Sequence, residues 1–328
     1  MKKVLYKVEE VIQLINQNKY LILAGDEELL KQIPQGNWIG GSIPYFMGDN
    51  GGLFSKELIQ VTEIPAFIKD IKFKSYGIVN IKDIYKDGFN NGFSVIIIPA
   101  FSDTHLSFAI NAPDYKDFAT KPLIGWISGT SLDAIGKITP KTFTGSGSGI
   151  SDKNAVVMHV ELPSDKYAEV SIVNIFEQGN GDVFEFYDTG FQASEALING
   201  EKLNFADYVT KNKIDLRLPL VADYNGAMIN ISIRDIPGDN KVYFYAPVFE
   251  GVTYKFAAPL KDFVTQFSEV MPDKDIQNIT FSCNCILNYL YSELEGKKTG
   301  NITGPFTFGE IAYQLMNQTM VNLDIRSL

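Results

Sequence analysis

Val95-Ile96-Ile97-Ile98-Pro99-Ala100-Phe101 is the longest apolar run in the chain. A run of this length reads as a strand buried on both faces, and it is far too short to span a bilayer. Helix signals flank it. Ile81, Ile84 and Tyr85 recur at helical spacing ahead of it, and Ser102 opens a second helix that stops before Pro113. Residues 122–127 follow as another apolar strand. Helix, strand, helix and strand in succession predict an α/β unit.

The same texture extends back to the start. Val8, Val11, Ile12 and Ile15 mark an amphipathic helix, and residues 20–25 a buried strand. Asp26 caps a short helix that Pro34 ends, and residues 38–43 form the next strand. Gly48 to Gly52 is a turn cluster and residues 58–64 a returning strand. Residues 141–154 are polar and rich in Gly and Ser, which predicts a loop, and residues 155–161 and 169–176 read as strands.

Past Gly179 the hairpin signals crowd together: Asp188-Thr189-Gly190, Asn199-Gly200, Asn225-Gly226 and Gly238-Asp239-Asn240. Two helical stripes follow, Leu260, Phe263, Val264, Phe267 and Met271, then Ile286, Leu287, Tyr289, Leu290 and Leu294, with Gly296 as a stop. Strands through residues 306–311 and 320–325 close the chain. The expected class is α/β to α+β, with mixed β-sheets covered by helices in two associated domains, residues 1–195 and 196–328.

Composition narrows the function. A net charge of −10 and a pI near 4.8 repel nucleic acid and anionic membranes, and no basic run interrupts the acidic balance. The first ten residues are charged and carry no apolar signal core. Two cysteines, one residue apart, make no disulfide framework. A cytoplasmic home is expected, with neither nucleic-acid nor membrane partners.

Four motifs hold candidate chemistry. Cys283-Asn284-Cys285 falls between a strand and a helix start, where unpaired N–H groups would lower a thiol pKa and attract anions. The plainer reading makes both cysteines buried fillers and Asn284 the helix cap. Glu310, between apolar residues, is either a buried carboxylate that binds a cation or a solvent-facing strand residue. Ser102-Asp103-Thr104-His105 follows a buried strand, but three triad members cannot meet within four residues. Ser102 there is a cap and His105 a candidate pocket residue, while His159 in its strand reads as structural or exposed. Gly145 to Gly149 lacks the ending of a phosphate loop and reads as a flexible loop. With only two Cys and two His, a zinc site is not expected.

Three segments in the last third, residues 198–208, 280–285 and 304–312, resemble in order and spacing the C-terminal part of the FIST sensory family. They are an Asn199-Gly200 opening with a following Tyr208, a strand ending in Ser282-Cys283, and a Gly309-Glu310-Ile311 element. Ile39-Gly40-Gly41-Ser42-Ile43 and residues 123–129 resemble its Gly-containing N-terminal strands. The resemblance implies a bacterial or archaeal sensory module that binds a small molecule such as an amino acid. It implies no cofactor and no catalytic residue, and since no output segment is recognisable, a separate signalling protein as partner. The ligand is expected between the two halves, at Gly40, Gly41, Ser42, Cys283, Asn284 and Glu310. Two rival readings are a thiol-dependent hydrolase or transferase, with Cys283 as nucleophile and His105 as base, and a protein–protein interaction module.

Overall fold

A computed structural model describes residues 3–147, 149–224, 227–260, 262–270, 279–298, 300 and 302–328. The apolar run lies in the Gly92–Pro99 strand, and all eight of its residues are buried. Phe93, Val95 and Ile97 point into one core with Trp126, Met158 and Phe281. Ile96 and Ile98 point into another with Phe108, Ala109 and Val157. Burial on both faces explains why the run shows no alternation.

This strand sits inside a six-stranded mixed sheet. The order is Gln314–Met316, Glu310–Ala312, Leu123–Ser128, Gly92–Pro99, Ala155–Glu161, Asp70–Tyr76. Gly92–Pro99 and Leu123–Ser128 are parallel, and the other neighbours are antiparallel. The parallel pair is unusually close at Gly125, where a Cβ would lie 1.8 Å from the Ile96 carbonyl oxygen, so no larger residue fits. One face carries the helix Asp103–Asn111. The other face packs on a second six-stranded sheet that includes Lys166–Val173, Met320–Ser327, Ile279–Cys285 and Gly304–Thr307. A third joins Leu21–Gly25 and Trp38–Ser42 to their neighbours. The class is α+β with mixed sheets.

Strand pairs cross residue 195. Gly304–Thr307 pairs with Tyr45–Gly48, Glu310–Ala312 with Leu123–Ser128, and Met320–Ser327 with Lys166–Val173. Residues 5–151 build one sheet of their own and residues 184–256 two more, while the other two sheets mix strands from both sides of residue 195. The returning C-terminal strands are a matter of long-range pairing, on which local periodicity is silent.

Locally, one expectation changes and another is met in a hairpin turn. The polar 141–154 stretch contains a short hairpin, Thr142–Thr144 with Ile150–Ser151, docked on Trp38–Ser42. The Gly48–Gly52 cluster is the tip of another, Tyr45–Gly48 with Gly51–Phe54. The stripe from Leu260 yields the helix Phe263–Val270, while Met271, Asn225 and Gly226 lie outside the described residues.

Candidate ligand site

The six expected ligand residues all lie buried inside the protein. Gly41 abuts Trp126 and Ser128: a Cβ on it would lie 2.6 Å from Ile97 Cγ2, 3.0 Å from Trp126 Nε1 and 3.2 Å from Ser128 Cβ. Gly40 is as confined, with 3.0 Å to the Leu23 carbonyl oxygen. The Ser42 hydroxyl donates to the Gly129 carbonyl at 2.8 Å and accepts the Lys141 N–H at 2.9 Å. The Cys283 thiol donates to the Gly125 carbonyl at 3.3 Å. Asn284 accepts from the Asn288 amide at 2.9 Å. Glu310 stands opposite Trp126 in the strand register and has no exposed surface.

Glu310 is the most unusual of these. Its carboxyl accepts from the Thr319 N–H at 3.2 Å, the Thr319 hydroxyl at 3.0 Å and the Thr307 hydroxyl at 3.3 Å. Among the described residues no Lys or Arg pairs with it. Burial pushes its pKa up to about 8, against the lowering pull of those hydrogen bonds. The group is a mostly neutral acid at pH 7 rather than an anchor for a cation.

The thiols are corrected in the same sense. The strand runs on through Cys285, which itself caps the next helix, so Asn284 is not the cap. Burial, and after it the nearby Glu310 carboxylate, raises both thiols well above the usual range. Helix-terminus activation does not survive such burial. Nor does His105 reach Cys283. Its Nδ1 accepts the Phe101 N–H at 3.2 Å, and its Nε2 has no hydrogen-bond partner among the described residues. The Cys–His dyad that a thiol enzyme requires is therefore absent. All six residues are thus buried, and Gly40 and Gly41 face opposite sides of their strand, toward Trp38 and Trp126.

An opening lies instead where the buried apolar run ends. The chain leaves Gly92–Pro99 through Phe101, at φ 64° in the left-handed region, and enters the helix Asp103–Asn111. The Ser102 hydroxyl caps that helix by accepting the His105 N–H at 3.1 Å, and donates to the Pro99 carbonyl at 2.7 Å. The turn 77–80 and residues 152–154 come to the same end of the sheet, since Tyr76 registers with Ala155. Between these segments is an open cleft of about 470 Å³. Asp103, Asp152 and Lys153 line it with Asn80, Thr104 and Asn154, and Ile78, Val79 and Phe101 complete the lining. Val79 is 80% exposed, and Ile78 and Phe101 are each 53% exposed, so apolar surface is offered to solvent here. Gly145, Gly147 and Gly149 lie between the two strands of the short hairpin and do not line this cleft. Of the motifs read as candidate chemistry, only Ser102-Asp103-Thr104-His105 reaches the opening, through Ser102, Asp103 and Thr104, with Phe101 of the apolar run beside them. The signal available for the rest was positional, namely that ligands collect at strand C-terminal ends.

The fold and the cleft define an α+β protein with a charged and apolar opening at one end of its central sheet. Residues 6–326 match the model of a family of unknown function, DUF6976, and the chain belongs to that family. No curated protein matches the chain. Among the described residues no helix is long and apolar enough to cross a membrane.

Proposed function

We propose that the protein is a small-molecule-binding sensory module of the kind the FIST resemblance implies, working in the cytoplasm and signalling through a separate output protein. Its ligand is an amino acid or a similar small metabolite, held in the cleft without conversion. The observation that carries this reading is the composition of the cleft. Asp103 and Asp152 suit an ammonium group and Lys153 a carboxylate, while Ile78, Val79 and Phe101 suit an apolar side chain. The volume, about 470 Å³, is of the size that small-ligand sites have.

A thermal-shift screen against the common amino acids tests this. A ligand at about 100 times its Kd stabilises by roughly 2.7 kcal/mol. The expected result is a shift with one subset of amino acids that Asp103→Ala or Lys153→Ala abolishes. Absence of any shift refutes the amino-acid reading. The three exposed apolar residues would then favour the rival interaction module, with this rim as its contact surface.

A further inference from the structure

Near the Gly92 end of the Gly92–Pro99 strand, four side chains form a continuous hydrogen-bonded relay, whose Tyr76 adjoins the cleft residue Gly77. The Tyr76 hydroxyl donates to Asp87 Oδ2 at 2.9 Å, and Lys74 donates to the same oxygen at 2.6 Å. Hydrogen bonds from Lys74 and Tyr76 outweigh burial and lower the Asp87 pKa, so its carboxylate is ionised and can only accept. With its own proton given to Asp87, the Tyr76 oxygen accepts from His159 Nε2, 2.9 Å away. His159 Nδ1 is thereby left as an acceptor, and it faces Ser94 Oγ at 2.7 Å. Ser94 and His159 are direct partners in the antiparallel register, so the sheet itself fixes the pair. The order is nucleophile, base and orienting groups, the arrangement that activates a serine.

From this geometry we infer that Ser94 is an activated nucleophile with His159 as its base, able to accept an acyl group from a small anionic ester. Tyr76 and Asp87 are positioning residues that hold the imidazole tautomer. Lys72, Lys74 and Lys121 surround the pair. Lys72 and Lys121 form no ion pair among the described residues, which favours an anionic substrate. Ser94 is 5% exposed. Gly88 lies over it, where a Cβ would be 3.3 Å from Ser94 Oγ and 3.6 Å from Lys121 Cδ, and Lys121 donates to the Gly88 carbonyl at 2.7 Å. An anionic group that draws Lys121 away loosens this cover.

In the reaction, Ser94 Oγ attacks the ester carbonyl carbon and its proton passes to His159 Nδ1. Collapse of the tetrahedral intermediate breaks the bond to the leaving alkoxide, which takes that proton and departs as the alcohol. Water then attacks acyl-Ser94, giving one proton to His159. When the acyl–oxygen bond breaks, the proton returns to Ser94 and the carboxylic acid is released. The Ser94 hydroxyl itself lies about five strand residues, or roughly 16 Å, from the cleft end of its strand.

The test uses the full chain, with diisopropyl fluorophosphate as the labelling probe and mono-p-nitrophenyl glutarate as the anionic ester, set against neutral p-nitrophenyl acetate. Expected is a single adduct on Ser94 by mass spectrometry, absent in Ser94→Ala. Hydrolysis of the anionic ester should exceed that of the neutral one and fall about a hundredfold in His159→Gln. Tyr76→Phe should lower the rate and displace the pH–rate profile while melting stays cooperative, a change that a purely structural hydroxyl would not produce. Failure of the wild-type protein to form an adduct on Ser94 overturns the inference, as does labelling that His159→Gln and Tyr76→Phe leave unchanged.

Discussion

Glu310 lies directly opposite Trp126 across an antiparallel strand pair, and neither has any exposed surface. A carboxyl group is thus carried into the core by backbone register alone. The surrounding hydroxyl and N–H donors satisfy it, but among the described residues no cation pairs with it. Its chemistry is that of a buried acid, and three expectations about pH, packing and reactivity follow from the core around it.

The pH dependence of stability should peak near neutrality. Burial lowers both His105 and His159 to about 4, so between pH 4 and 6.5 the unfolded chain binds more protons and stability rises with pH. Glu310, raised to about 8, works in the opposite direction. Above pH 4.5 the unfolded carboxyl ionises while the native one stays protonated, and stability falls until pH 8. The two imidazoles dominate up to 6.5, the carboxyl acts beyond it, and the two raised thiols add a further fall as unfolded cysteine ionises toward about pH 8.5. The carboxyl's full contribution is on the order of 5 kcal/mol. Urea titrations from about pH 4.5 to 7.5, below the range where unfolded cysteine ionises, should show the decline above pH 6.5 in the wild type and a plateau in Glu310→Gln. An unchanged decline in the variant refutes the assignment.

Gly41 should tolerate no side chain. Its Cβ would meet Ile97 Cγ2 at 2.6 Å inside a core fully packed with Trp126. Gly41→Ala is expected to cost about 1–3 kcal/mol in chemical denaturation, the usual penalty for overpacking. It should leave ligand-induced shifts in the folded fraction intact, because Gly41 does not line the cleft. A neutral substitution would mean that this core is looser than described.

Cys283 and Cys285 should be unreactive in the native state. Both are 1% exposed, and burial and Glu310 keep the thiols protonated. Reaction with a disulfide reagent should run far slower than with a free thiol and accelerate only with unfolding in guanidinium. Rapid modification of either thiol under native conditions contradicts this.

The legible part of the fold was the part written in local pattern. Val95 to Ile98 declared a doubly buried strand, Ser102 its following cap, and Asp26 the cap of the short helix Glu27–Leu30. Two kinds of information were out of reach. Register decides that Glu310 faces Trp126, and that His159, read as structural or exposed, meets Ser94 and Tyr76. These are pairings over tens to hundreds of residues that leave no local trace. Burial decides the thiol chemistry, since the same Cys285 at a helix start could have been activated had it met solvent. The glycines at 40 and 41 were visible as unusual, but close packing and ligand approach produce the same residue.

The position that best separates stability from binding is Phe101. It holds φ 64°, which a bulky side chain adopts at a cost of about 1–2 kcal/mol and glycine at little or none. It also offers half its surface to solvent at the cleft, with one edge-on ring contact to Phe308, centroids 6.4 Å apart. Phe101→Gly removes the backbone strain and forfeits a single, partly solvated contact, so the melting temperature should hold steady or rise. If the cleft binds an apolar side chain, the same variant loses the surface that meets it. An amino-acid-induced shift present in the wild type should then be lost or greatly reduced. A strained aromatic that stabilised the fold would instead lower the melting temperature on replacement, and one that merely sat at the surface would leave ligand shifts unaltered. Either result would show that Phe101 is not retained for binding. Its combination of strain and exposure gives the strongest physical reason to look for the ligand at this end of the sheet.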